Sequence, residues 1–174
     1  MRTRLDASLP STKDALAGPV DCDPAEIALN RNSTEGLSTV IFGVPMQPGD
    51  EVMVSEWDYP SSLGGWQQRA SREGIRVARV RFDPLDDDGA IVRAYMAALT
   101  PRTRVMQVTH MLHWTARVLP AQRLCAVARE RGVSLVDGAQ TFAQMPVSFR
   151  PLACDFFVTS LHTSGWGLPS GTAC

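Results

Sequence analysis

The chain has almost no lysine. Of its 17 cationic residues, every one except Lys13 is an arginine, so chemistry that needs a side-chain primary amine has a single place to find it. Cysteine is nearly as sparse. Cys22, Cys125, Cys154 and Cys174 form no C-x-x-C pair and no short ligand spacing, which argues against a disulfide scaffold or a zinc site and fits reduced, mostly buried thiols. No apolar run approaches the ~20 residues of a membrane span, and the start carries arginines but no long apolar stretch, so it does not read as a secretory signal. A net charge of −1 leaves no basic footprint for nucleic acid. No G-x-G-x-x-G follows any strand candidate, which disfavours a nucleotide-binding α/β enzyme. The expectation is a cytoplasmic protein without nucleic-acid or membrane partners.

What the chain does have is an alternation of elements. Its 174 residues, 44% hydrophobic and 20% charged, can bury one sizeable core. Residues 1–22 show weak periodicity and read as loosely ordered, and residues 23–174 read as one domain. Glu26 to Leu29 is a short strand candidate. In R-N-S-T-E-G-L-S-T-V-I-F-G, Leu37, Val40, Ile41 and Val44 recur at helical spacing behind Asn32, Ser33 and Thr34. Such a helix start can cradle a phosphate, or it can be simple capping, the commoner case. Glu51 to Ser55 is a strand, followed by Trp57, Asp58 and Tyr59 and a helix over 61–72. An aromatic at that strand end stacks on a flat ligand ring or is plain packing. Ile75 to Phe82 alternates as a strand with one wet face, and a helix runs from Asp86 to about Leu99. Thr103 to Thr109 is a strand, and Pro120 to Arg131 a helix with Pro at its start and Gly132 beyond its end. His110 and His113 lack a third ligand nearby, so zinc is disfavoured.

Val133 to Gln140, V-S-L-V-D-G-A-Q, organises the rest. A continuous apolar run marks a parallel strand buried on both faces, and ligands in open α/β sheets sit beyond the carboxyl ends of such strands. Asp137 stands there, either to hold a fixed charged atom of a ligand or as a helix cap. Asp155 to Ser160 is the last strand. Strand and helix alternating about five times predicts a mostly parallel sheet in a three-layer α/β/α sandwich.

Taken together, R-N-S-T-E-G, P-G-D-E-V, D-Y-P, T-P-R-T-R-V, V-T-H-M, V-D-G-A-Q and C-D-F-F-V-T-S-L-H resemble the class V aminotransferases, pyridoxal 5'-phosphate enzymes that include cysteine desulfurases and isopenicillin N epimerase-like proteins. The resemblance implies the large-domain core of fold type I and a homodimer acting on amino acids by transamination, desulfuration or epimerisation. It implies that Asp137 pairs with the cofactor's pyridinium nitrogen and Gln140 donates to its phenolic oxygen. Tyr59 would stack on the ring, and Ser33, Thr34, Ser160 and His162 would hold the phosphate.

Four departures accompany the resemblance. The family's lysine follows its Ser-x-His, and here that position is Thr163, which has no amine. His113 stands where the family usually has an asparagine near the cofactor oxygen, and Ala116 replaces a turn glycine. Family members also continue into a carboxyl-terminal small domain that has no counterpart here. The expectation is a cofactor-domain core that binds pyridoxal phosphate without turning over, or alternatively a non-catalytic module for a phosphorylated ligand or a related subunit.

Overall fold

The computed structural model describes residues 2–161, with side chains from residue 8 onward. Five parallel strands lie in the order β2-β1-β3-β4-β5. These are β1 Glu51–Ser55, β2 Arg76–Val80, β3 Thr103–Thr109, β4 Val133–Asp137 and β5 Phe156–Val158. Helices α1 Arg2–Val20, α2 Ser33–Gly43, α3 Pro60–Glu73, α4 Asp88–Ala98, α5 Ala121–Arg129 and α6 Phe149–Leu152 complete the α/β/α arrangement.

Strand alternation sorts the core into two layers, because successive side chains point to opposite faces. From β1, Val52 and Val54 join Leu37 and Ile41 of α2 and Trp66 of α3. Met53, between them, joins Ile91 and Tyr95 of α4 and Leu124 of α5. The central strand β3 divides likewise, Val105 to the α2/α3 layer and Met106 and Val108 to the α4/α5 layer. Strand β2, at the edge of the sheet, is only partly covered, with Arg76 and Arg79 exposed and Val80 buried.

Two expectations fail in the amino-terminal part. Residues 1–22 are not loosely ordered, since Arg2–Val20 forms α1. Its last two turns bury Leu16, Ala17 and Val20 against Phe142 and Leu161, partners more than a hundred positions away that no local periodicity announces. Glu26 to Leu29 is not a strand. Pro24–Glu26 is a 3-10 turn fixed by a capping box, with the Ala25 N–H donating to Asp23 Oδ1 at 2.8 Å and the Asp23 N–H to Glu26 Oε2 at 2.8 Å. That local satisfaction competes with strand formation.

Candidate functional site at the carboxyl ends of the strands

The order β2-β1-β3-β4-β5 reverses direction between β1 and β3, and the crevice beyond the strand ends at such a switch point is where doubly wound folds bind ligands. Asp137 closes β4 in this crevice. It is 4% exposed and accepts from the Ala139 N–H at 3.0 Å. No helix begins there, because residues 139–144 are turns. Burial pushes its carboxyl up to about 6, against the pull of the Ala139 hydrogen bond. Gly138 follows because nothing larger fits, as a Cβ would overlap the tip of the Phe157 ring and lie 2.9 Å from Thr141 Oγ1. Its carbonyl accepts from the hydroxyls of Thr141 at 2.9 Å and Thr159 at 2.8 Å. Gln140 follows in the same turn, half-buried.

At the end of β1, Tyr59 is 48% exposed, and its ring meets the His113 ring edge-on with centroids 5.0 Å apart. His113 comes from the loop after β3, closed by the antiparallel bridge between Met111 and Val118. Ala116 takes φ 55° in that loop, the left-handed region that glycine adopts without strain. Both imidazole nitrogens of His113 are buried without a hydrogen-bond partner, and burial holds its pKa below the usual histidine value. An unpartnered buried polar atom beside an exposed aromatic ring is the arrangement a planar polar ligand would satisfy.

The start of α2 is capped, but by Asn32. Its Oδ1 accepts from the Glu35 N–H at 2.9 Å, while Glu35 Oε2 accepts from the Arg31 N–H at 2.7 Å. The Ser33 and Thr34 side chains are thereby left out of the cap. Gly36 lets this turn lie against β5, where a Cβ would sit 2.7 Å from Val158 Cγ1. The first turn of α2 and the buried Ser160 that follows β5 therefore belong to one corner of the molecule. His162 and Thr163 lie outside the described residues.

A second carboxyl at this site carries no role that the sequence announces. Asp58 is buried between β1 and β3, where it accepts from the Ser55 N–H at 2.8 Å and from Thr109 Oγ1 at 2.6 Å. Burial pushes it up to about 7. These two hydrogen bonds pull the other way, and the charge of Asp137 raises it further. Thr109 and Asp137 are register partners on β3 and β4, so Asp58, Thr109 and Asp137 run across three adjacent strand ends. The D-Y-P triplet signals a polar strand end, but the threonine that answers Asp58 lies 51 positions on.

Comparison with known proteins bears on what this crevice holds. The family described as aminotransferase class V matches residues 3–169. An isopenicillin N epimerase of Amycolatopsis lactamdurans is 33% identical over 157 residues, 87% of this chain and 39% of that protein. A cysteine desulfurase of Pectobacterium atrosepticum is 32% identical over 162 residues, 90% of this chain and 39% of the relative. Among solved structures, a lysine-to-alanine variant of the cystine C–S lyase C-DES, with glycine covalently linked to its PLP cofactor, superposes with a TM-score of 0.92. It shows 26% identity across 99% of this chain and 46% of that one. The chain thus spans less than half the length of these relatives.

Proposed function

This chain belongs to the class V aminotransferase family, and from that premise we propose that it holds pyridoxal 5'-phosphate non-covalently and does not turn over amino acids by itself. The observation that carries the proposal is the buried Asp137 carboxyl at the end of β4, in the same crevice as the Tyr59–His113 ring pair. Asp137 would face the pyridinium nitrogen and keep it protonated, and Gln140 would donate to the phenolic oxygen. Tyr59 would cover one face of the ring, with His113 at its oxygen-bearing edge. Ser33, Thr34, Ser160 and His162 would take the phosphate, for which hydroxyls at a helix start and an imidazole are suitable donors. When bound, pyridoxal phosphate supplies an electron sink for carbanions beside an amino group. Amino acids are the proposed substrate class of a longer protein containing this core. A homodimer is its proposed assembly, favoured by the half-exposed Phe156 on the outer strand β5.

The non-covalent part follows from amine chemistry. Threonine at position 163 cannot form an imine, and the one lysine of the chain, Lys13, lies on α1. Borohydride reduction in the presence of pyridoxal phosphate, followed by peptide mass spectrometry, is expected to leave the protein without a stoichiometric adduct. Modification of Lys13 in one-to-one yield would overturn this. Equilibrium titration, with NAD and ATP as controls, is expected to show reversible binding of pyridoxal phosphate alone. Asp137→Ala should weaken that binding about tenfold to a hundredfold, the worth of a hydrogen bond to a charged group. An unchanged affinity would reduce Asp137 to the turn-former that its Ala139 hydrogen bond already makes it.

A further inference from the structure

Gln107 is out of place for a residue in the middle of a buried strand. It lies on β3, the central strand, flanked by Met106 and Val108, and is fully buried. An amide there costs stability unless its hydrogen bonds are made, and both ends of this one are used. Its Oε1 accepts from Trp66 Nε1 at 2.8 Å, and its Nε2 donates to Ser62 Oγ at 2.8 Å. Ser62 Oγ in turn donates to the carbonyl of Tyr59 at 2.9 Å. Two positions on, Thr109 shares the face of Gln107 and donates to Asp58, the residue before Tyr59. The turn from Asp58 to Ser62 is therefore fastened at both ends to one strand. Tyr59 sits between the fastenings and has no side-chain cap bond of its own. Its ring rests on His113, in the loop four residues beyond Thr109.

We propose that Gln107 and Thr109 are positioning residues, a two-point latch from β3 that fixes the backbone of Tyr59 and so sets its ring over the crevice beside Asp137. The use of the latch rests on the cofactor reading above, but the latch itself does not. Without that latch, a half-exposed aromatic on a helix start would keep a backbone freedom that its single ring contact with His113 does not remove. Held from beneath by two buried hydrogen bonds, it presents one face to the crevice without losing that freedom again on binding.

The chain contains two tyrosines, Tyr59 and Tyr95, so uniform labelling with 3-fluorotyrosine gives two fluorine resonances, assigned by Tyr59→Phe. Tyr95 is fully buried, and its dispersed signal reports that each variant is folded. Gln107→Met removes both amide hydrogen bonds at similar length, and Thr109→Val removes the hydroxyl at equal shape. Both are expected to shift or broaden the Tyr59 signal while a buried Tyr95 signal persists. Thr109→Ser, which keeps the donor, is expected to restore it. Gln107→Met should also weaken pyridoxal phosphate binding by roughly threefold to tenfold, the scale of an aromatic stacking contact. It should add no further loss in a Tyr59→Ala background, since residues acting through one another are not additive. A Tyr59 signal unmoved in both folded variants overturns the latch, and so does an additive loss with Tyr59→Ala. The fluorine readout needs no cofactor. Failure of the cofactor reading appears separately, as absent binding with the Tyr59 signal still displaced by Gln107→Met, an outcome that upholds the latch.

Discussion

Gly138→Ala should cost about 3 kcal/mol or more, in the upper range for overpacking a buried site, and should remove pyridoxal phosphate binding together with stability. A methyl group at that position would overlap the Phe157 ring, which is itself packed on Phe149 with centroids 4.6 Å apart. The ring is half-buried, with Phe149 and His110 as its ring neighbours, and part of the displacement is expected to fall on the strand end that carries Asp137. Gly18→Ala is the control, since nothing lies within 4 Å of the added atom, and it should be near neutral. Urea unfolding of both variants measures the difference. A Gly138→Ala protein as stable as the control, with cofactor affinity intact, would show that β5 yields freely and that the crevice is less closely set than its packing indicates.

The same glycine shows where sequence reasoning stops. Asp137-Gly138 is legible as a strand end carrying a carboxyl, because an apolar run that ends in aspartate is a local signal. That glycine is required by a ring from the next strand is not legible, since Phe157 enters only through the parallel pairing of β4 and β5. The helix and strand alternation reads to within a few residues for the same reason: apolar periodicity is local, and each element carries its own. Helix α1 escapes such a reading because its buried stripe has partners at Phe142 and Leu161. The left-handed turn at Ala116 is half visible, as a glycine position filled by alanine. Gln107 carries the clearest unread signal, a single polar residue in the apolar run V-M-Q-V. Such a residue in a central strand announces a buried network even when its partners cannot be named.

Asp58 gives the molecule an expected dependence on pH that a substitution can isolate. An aspartate in the unfolded chain titrates near 3.9, whereas burial holds the folded Asp58 up to about 7. Between those values the folded protein keeps a proton that the unfolded chain has released. Stability from this group is therefore full at low pH and is lost as pH rises through about 7. Asp137, pushed up to about 6, contributes in the same direction. His110 and His113 oppose it, because burial lowers both, and their contribution is lost as pH falls. Comparison with Asp58→Asn removes these shared contributions. Between pH 5.5 and 8.0 the stability of the Asn variant relative to the unsubstituted protein should rise by about 2 kcal/mol. That figure follows from ~1.4 kcal/mol for every pH step of one over which the folded state alone keeps the proton. Urea unfolding at the two pH values measures it. A constant difference would mean that Asp58 is already ionised at pH 5.5, its two hydrogen bonds outweighing its burial. If the rise is found, saturating pyridoxal phosphate should reduce it, because a cation held against Asp137 relieves the repulsion that keeps Asp58 protonated. The crevice would then be a site whose proton content and ligand occupancy are linked through two carboxyls whose charges repel.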